Sequence, residues 1–172
     1  LGKGWQVAMT TLLHERGAGE LQTPRSGGMK SKATHSTNTA NLIELARVTS
    51  RNGKPAADDP LIRDRIMQLV IQEAGLGQNQ RRARVSALQD HPARLLLQNK
   101  LLASEIAQAI GATAMEVEGA SASLYLGDDN APAGGQWPMA YMNSYGMTIA
   151  AGTSEIQRNI LGERVLGLAK SK

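Results

Sequence analysis

The chain has 172 residues, 41% hydrophobic and 20% charged, a composition that fits one globular domain with a sizeable core. It contains no cysteine, which excludes disulfides, thiolate metal sites and cysteine nucleophiles. The net charge of +4 is modest, and aromatic residues make up only 3%, so neither a basic nucleic-acid surface nor a base-stacking platform is expected.

The first segment, LGKGWQVAMT, lacks the basic stretch and apolar core of a signal peptide. It opens without Met inside a helical pattern, as a fragment or a processed chain would. No apolar run approaches the roughly 20 residues of a membrane span, so a cytoplasmic location is expected. The three histidines, His14, His35 and His91, are far apart and show no ligand spacing, so no metal site is expected.

Taken in chain order, the elements are mostly helical. Trp5, Ala8, Met9 and Leu12 follow the i, i+3, i+4, i+7 spacing of one helical face, and the segment runs to Arg16. A Gly- and Ser-rich stretch, residues 17–38, reads as a long loop. Leu42, Ile43, Leu45 and Ala46 restart the pattern, which RNGKPAADDP then breaks. Asp58 or Asp59 before Pro60 predicts a helix start, with Ile62, Ile66, Leu69, Val70 and Ala74 on one face. A long helix starts near Ala93, carries Leu97, Leu101, Ile106, Ile110 and Val117, and reaches about Leu124. LGDDNAPAGGQWP reads as a loop, followed by a short element over Met139–Met147. The last helix starts at Ser154, with Ile156, Ile160, Leu161, Val165 and Leu168 on one side. No segment alternates like a strand. The predicted fold is all-α, an antiparallel bundle of four or five helices.

The stretch IAAGTSEIQRN opens that last helix. Ser154 and Gln157 have the spacing of a capping box, and the remaining first-turn amides suit an anion or a polar ring edge. Ala150, Ala151 and Gly152 leave the approach unobstructed.

GTSEIQRNILGERVLGL, Gly152 to Leu168, closely resembles the C-terminal signature of the acyl-CoA dehydrogenase family. GKGWQVAMTTLLHER at the other end, and KLLASEIAQ between them, resemble the first and core helices of the same family's C-terminal domain. The resemblance implies that residues 1–172 form the C-terminal four-helix-bundle domain. It places the family's N-terminal helical and central β domains outside this chain. It further implies α,β-dehydrogenation of an acyl-CoA thioester in lipid metabolism, with FAD as cofactor and an electron-transfer protein as acceptor. A carboxylate base removes the α-proton while the β-hydrogen leaves as hydride to the flavin.

In many family members the base is a Glu directly before the Gly-Thr of the signature. Here that position is Ala151, which cannot take a proton. Isovaleryl-CoA and long-chain dehydrogenases carry the Glu on the first helix of the bundle, after a Gly-Lys-Gly. Gly2-Lys3-Gly4 leads to Glu15-Arg16 at matching spacing, so the resemblance assigns the base to Glu15. On a helical wheel Glu15 lies roughly 20° from Ala8, on the shoulder of the apolar stripe. Leu13, His14, Arg16, Ala151 and Gly152 are the implied substrate contacts, and Thr153, Ser154 and Glu155 the implied flavin contacts.

Three departures fall on the half of the flavin site that relatives donate across a subunit interface. The family's R-x-x-F-G has as its nearest match TSRNG, Thr49 to Gly53, with Arg47 or Arg51 as substitutes. Asp59-Pro60 stands where relatives carry a Gln or His. The family's Q-x-x-G-G-x-G appears as EVEGASA, Glu116 to Ala122, where a carboxylate near a diphosphate is unfavourable unless solvated. Some actinobacterial relatives are hetero-oligomers that hold flavin at only some interfaces. The implied assembly is therefore a homotetramer or an α2β2 heterotetramer. A non-catalytic assembly subunit and an acyl-CoA oxidase are the alternative functions.

Overall fold

A computed structural model describes residues 3–17, 37–91 and 94–170, with the side chains of 12–17 outside that description. The described elements are helices α1 (Gly4–Gly17), α2 (Thr39–Val48), α3 (Pro60–Arg82), α4 (Arg94–Glu118), α5 (Gln136–Ile149) and α6 (Ser154–Ile160). A hairpin of β1 (Ser50–Arg51) and β2 (Lys54–Pro55) separates α2 from α3. Most of the expected loop 17–38 lies outside the described residues.

α4 is the axis of the bundle: α1, α2, α3, α5 and α6 all pack on it. Its buried positions run around much of its circumference, including Leu97, Leu101, Ile106, Ile110 and Val117. A helix buried on several sides loses the single apolar stripe of a surface helix. Two of the polar positions this buries are satisfied locally: Ser104 Oγ donates to the Leu101 carbonyl (3.0 Å) and Thr113 Oγ1 to that of Ala109 (2.9 Å). The core joins Leu42, Leu45 and Ala46 of α2 to Ile62, Ile66, Leu69 and Leu76 of α3 and to the α4 face. α4 and α5 meet at Gly111, where an added Cβ would lie 3.0 Å from the Tyr141 Cα, so only glycine allows this approach without a shift.

The start of α3 is as expected. Asp59 accepts from the Leu61 amide (2.9 Å) and Pro60 takes the first helical position. Ile62, Ile66 and Leu69 are buried, but Ala74 is exposed and Leu76 continues the face. Between them Glu73 accepts from the backbone amide (3.1 Å) and hydroxyl of Thr39, placing a carboxylate at the start of α2.

Several boundaries differ from expectation. Ser50–Arg51 pairs with Lys54–Pro55 around Asn52 and Gly53, both at positive φ, a two-residue Asn-Gly turn within the stretch that reads only as a break. α4 ends at Glu118 rather than near Leu124, because Gly119 turns to φ +59° and a 3-10 turn follows over Gly119–Ser123. α5 starts at Gln136, inside the predicted loop, since Pro138 in a first turn costs no hydrogen bond. Trp5 and Ala8 are exposed, Trp5 at 75%, because no described element covers that face of α1.

Candidate functional site

The turn before α6 carries the signature residues. Ala151 sits at φ +57° and Gly152 at φ +100°, so two consecutive residues adopt left-handed backbone. For a residue with a Cβ this is unfavourable and persists only where neighbours hold it. Two side chains do so. Lys100 Nζ of α4 donates to the Gly152 carbonyl (2.7 Å), and Gln157 Nε2 donates to that of Ala151 (2.7 Å). Gln157 is 0% exposed, and its Oε1 has no hydrogen-bond partner among the described residues.

The predicted capping box does not form. Thr153, one residue earlier, is the cap: its hydroxyl accepts from the Ile156 amide (3.4 Å). Gln157 is drawn to the turn instead of back to Ser154. Ser154 and Gln157 therefore form the buried face of α6, while Ile156, expected on the apolar side, is 46% exposed, as Leu168 is also exposed.

A cavity of about 280 Å³ opens between this turn, α4 and the end of α5, lined by Thr153, Ser154, Glu155, Arg158, Glu105 and Gln108, with Thr148 and Ile149. Arg158 is already paired with Glu105 (2.5 Å). Glu155 lies at the helix start, where hydrogen bonding from its own backbone amide, then from the Thr153 hydroxyl, holds its carboxyl below the usual range; Arg158 adds to this and slight desolvation opposes it. The positive end of α6 thus already has its own anion. Two carboxylates, three hydroxyls, an amide and one paired guanidinium suit a neutral group rich in hydroxyls or N–H donors better than a phosphate. Sequence reasoning names Thr153, Ser154 and Glu155, which share this cavity. It misses Lys100, Glu105 and Gln108, whose helical spacing along KLLASEIAQ faces them toward the turn.

Glu15 falls in the last turn of α1, which packs on the same helix, α4, that anchors the Gly152 turn. The side chains of Leu13, His14, Glu15 and Arg16 lie outside the described residues.

At the other end of α4, Glu116 is half solvated and ion-paired with Arg65, and its carbonyl accepts from Arg51 (3.2 Å). Arg47 pairs with Glu44 (3.9 Å). Glu118 is 6% exposed, and neither carboxylate oxygen has a hydrogen-bond partner among the described residues. Burial pushes its carboxyl up from the ordinary range to about 7. Among the described residues, no group of three His, Cys, Asp or Glu side chains is placed to hold a metal ion, and no helix is long and apolar enough to cross a membrane.

The bundle and its anchored turn define an all-α domain with a polar cavity beside the middle of its central helix. The chain belongs to the family of acyl-CoA dehydrogenase C-terminal domains, whose model matches residues 2–166. It is 36% identical over 170 residues to the acyl-CoA dehydrogenase IpdE1 of Mycolicibacterium smegmatis, covering 98% of this chain and 38% of that protein. The chain thus spans about two-fifths of the length of that relative. Among solved structures, its fold matches the ChsE4–ChsE5 complex of Mycobacterium tuberculosis (TM-score 0.66, 21% identity, 78% of this chain and 34% of that one). It also matches a structure described as an FAD-dependent dehydrogenase (TM-score 0.62, 22% identity, 76% and 33%).

Proposed function

We infer that this chain is the C-terminal domain of a flavin-dependent acyl-CoA dehydrogenase and that Glu15 is its α-proton acceptor. The observation that carries the reading is the pairing of a family match over residues 2–166 with an alanine, Ala151, where many relatives carry the base. With that position empty of acid–base chemistry, Glu15 is the carboxylate that the Gly-Lys-Gly spacing provides.

The cavity beside Thr153, Ser154 and Glu155 has the donor and acceptor set for the neutral part of a flavin, its polyol or ring edge. When bound, a flavin supplies the hydride acceptor. The chain's own residues do the rest. Glu15 takes the proton from the carbon next to the thioester carbonyl, a role that requires hydrogen-bond reach of that proton. A base in this role needs a dry pocket, which raises a carboxyl pKa toward the working pH. Leu13, His14 and Arg16 lie beside it on α1, and Ala151 and Gly152 present a small, unobstructed backbone to the thioester. Lys100 and Gln157 keep that backbone in place.

The substrate class is an acyl-CoA, the electron acceptor a transfer protein, the assembly a homotetramer or α2β2 heterotetramer, and the location cytoplasmic. The test is to reconstitute the full-length protein with FAD and follow acyl-CoA-dependent reduction of an artificial acceptor. The second reading, a non-catalytic assembly subunit of a hetero-oligomeric dehydrogenase, is favoured by Glu118 in the EVEGASA segment, buried without a hydrogen-bond partner among the described residues, which would oppose a diphosphate. About one flavin per chain after purification alone would overturn that second reading.

A further inference from the structure

Glu118 lines a cavity of about 520 Å³ together with Glu44, Leu45, Val48, Ser121 and Trp137, among others. The Glu118 side chain is buried, and neither carboxylate oxygen has a partner among the described residues. Two buried acceptors without donors carry a desolvation cost that a ligand with N–H groups relieves.

The surroundings select the charge of that ligand. Glu118 ends α4, and Leu45 and Val48 lie in the last turn of α2, so two helix C-termini add partial negative charge. The first turn of α5, at Trp137, offsets only one of them. The chain's nearby arginines are engaged elsewhere: Arg47 on Glu44, Arg51 on the Glu116 carbonyl and Arg65 on the Glu116 carboxylate. The cavity therefore suits a cation that comes from solution.

The lining also selects its shape. An ammonium has three N–H donors, two for the Glu118 oxygens and one for a hydroxyl such as that of Ser121. Leu45 and Val48 offer apolar wall to a methylene chain, and Trp137 offers an aromatic surface to a positive head. Glu44 supplies a second carboxylate. It is exposed, and its ion pair with Arg47 is long, at 3.9 Å. Such exposed pairs contribute little and exchange readily, so Glu44 can take up another cation.

We propose that this cavity is a binding site for a small aliphatic diamine, one ammonium on the Glu118 carboxylate and the other on Glu44. A lysine side chain of another protein, with its single ammonium, satisfies half of this arrangement. The proposal does not depend on the catalytic reading.

The test uses the full-length protein carrying this chain. Isothermal titration calorimetry at pH 8 gives the affinities for butane-1,4-diamine, butylamine and tetramethylammonium at matched ionic strength. The variants are Glu118→Gln, Glu44→Gln and Asp64→Asn, the last an exposed one-charge control on α3. The diamine should saturate wild type and bind at least about thirtyfold more weakly to Glu118→Gln. Butylamine should bind wild type about two- to fivefold more weakly than the diamine, a difference that Glu44→Gln abolishes. Tetramethylammonium has no N–H for the Glu118 oxygens and should not saturate. Burial pushes the Glu118 carboxyl up to about 7, and the ligand needs it ionised. Lowering the pH to 5.5 should therefore weaken the diamine by about thirtyfold. Glu44 is exposed, so Glu44→Gln remains informative if Glu118→Gln unfolds. No saturable diamine binding, undiminished binding in Glu118→Gln, or equal loss in Asp64→Asn would overturn the proposal. So would equal wild-type affinity for diamine and butylamine, or tetramethylammonium binding as tightly as the diamine.

Discussion

Lys100 Nζ donates to the Gly152 carbonyl at 2.7 Å, so a cation on the central helix holds the turn from which α6 departs. The interaction is part-buried and charge-assisted. Replacing Lys100 with Met is expected to cost about 1–2 kcal/mol in urea unfolding. Amide exchange at residues 151–156 should accelerate more than exchange in α3, because the turn is what the cation secures.

Gln157 holds the adjacent carbonyl, that of Ala151, from a fully buried position. Gln157→Leu should destabilise by about 1–3 kcal/mol, the penalty for an unpaired buried acceptor and a lost hydrogen bond, eased by removal of the orphaned Oε1. Because both side chains act on one turn, the double variant with Lys100→Met should lose less than the two single losses added. A double-mutant cycle in urea measures this coupling.

Glu118 makes stability depend on pH with a definite sign. Burial pushes its carboxyl up to about 7 in the folded state, against an ordinary value of 4.5 when unfolded. Between these values the folded state binds more protons, so its contribution to stability falls as pH rises through this window. Glu118→Gln removes this dependence. Below pH 4.5 the two proteins should be about equally stable; at pH 8 the variant should be more stable by about 1–2 kcal/mol, a figure discounted for water entering the cavity. Denaturant unfolding at both pH values, at concentrations below self-association, checks it.

Gly111 faces the Tyr141 backbone, and a Cβ there would sit 3.0 Å from its Cα. Gly111→Val should separate α4 from α5 and cost about 1–3 kcal/mol despite the better fit of a non-glycine residue to a helix. Thermal unfolding followed by circular dichroism is the readout.

Much of this architecture is legible in the sequence because it rests on local rules. Asp59-Pro60 marks the start of α3, and Ile62, Ile66 and Leu69 fix its inward face. Where contacts between distant residues decide, the sequence reads less well. Ser154 and Gln157 have capping-box spacing, yet Gln157 turns to the strained Ala151 carbonyl and Thr153 becomes the cap. Trp5 and Ala8 follow core periodicity but have no covering element among those described. Glu116 and Glu118 look alike in EVEGASA, but α4 turns one toward Arg65 and solvent and the other into the cavity. Lys100 carries no local signal, since its partner lies 52 residues away.

Glu15 carries the central claim, and rapid mixing of flavin-loaded full-length protein with acyl-CoA tests it. The bleaching rate of the flavin should fall by about 10²–10⁴-fold in Glu15→Gln, with flavin content and helical signal unchanged. Flavin reduction at the wild-type rate in Glu15→Gln would contradict the assignment.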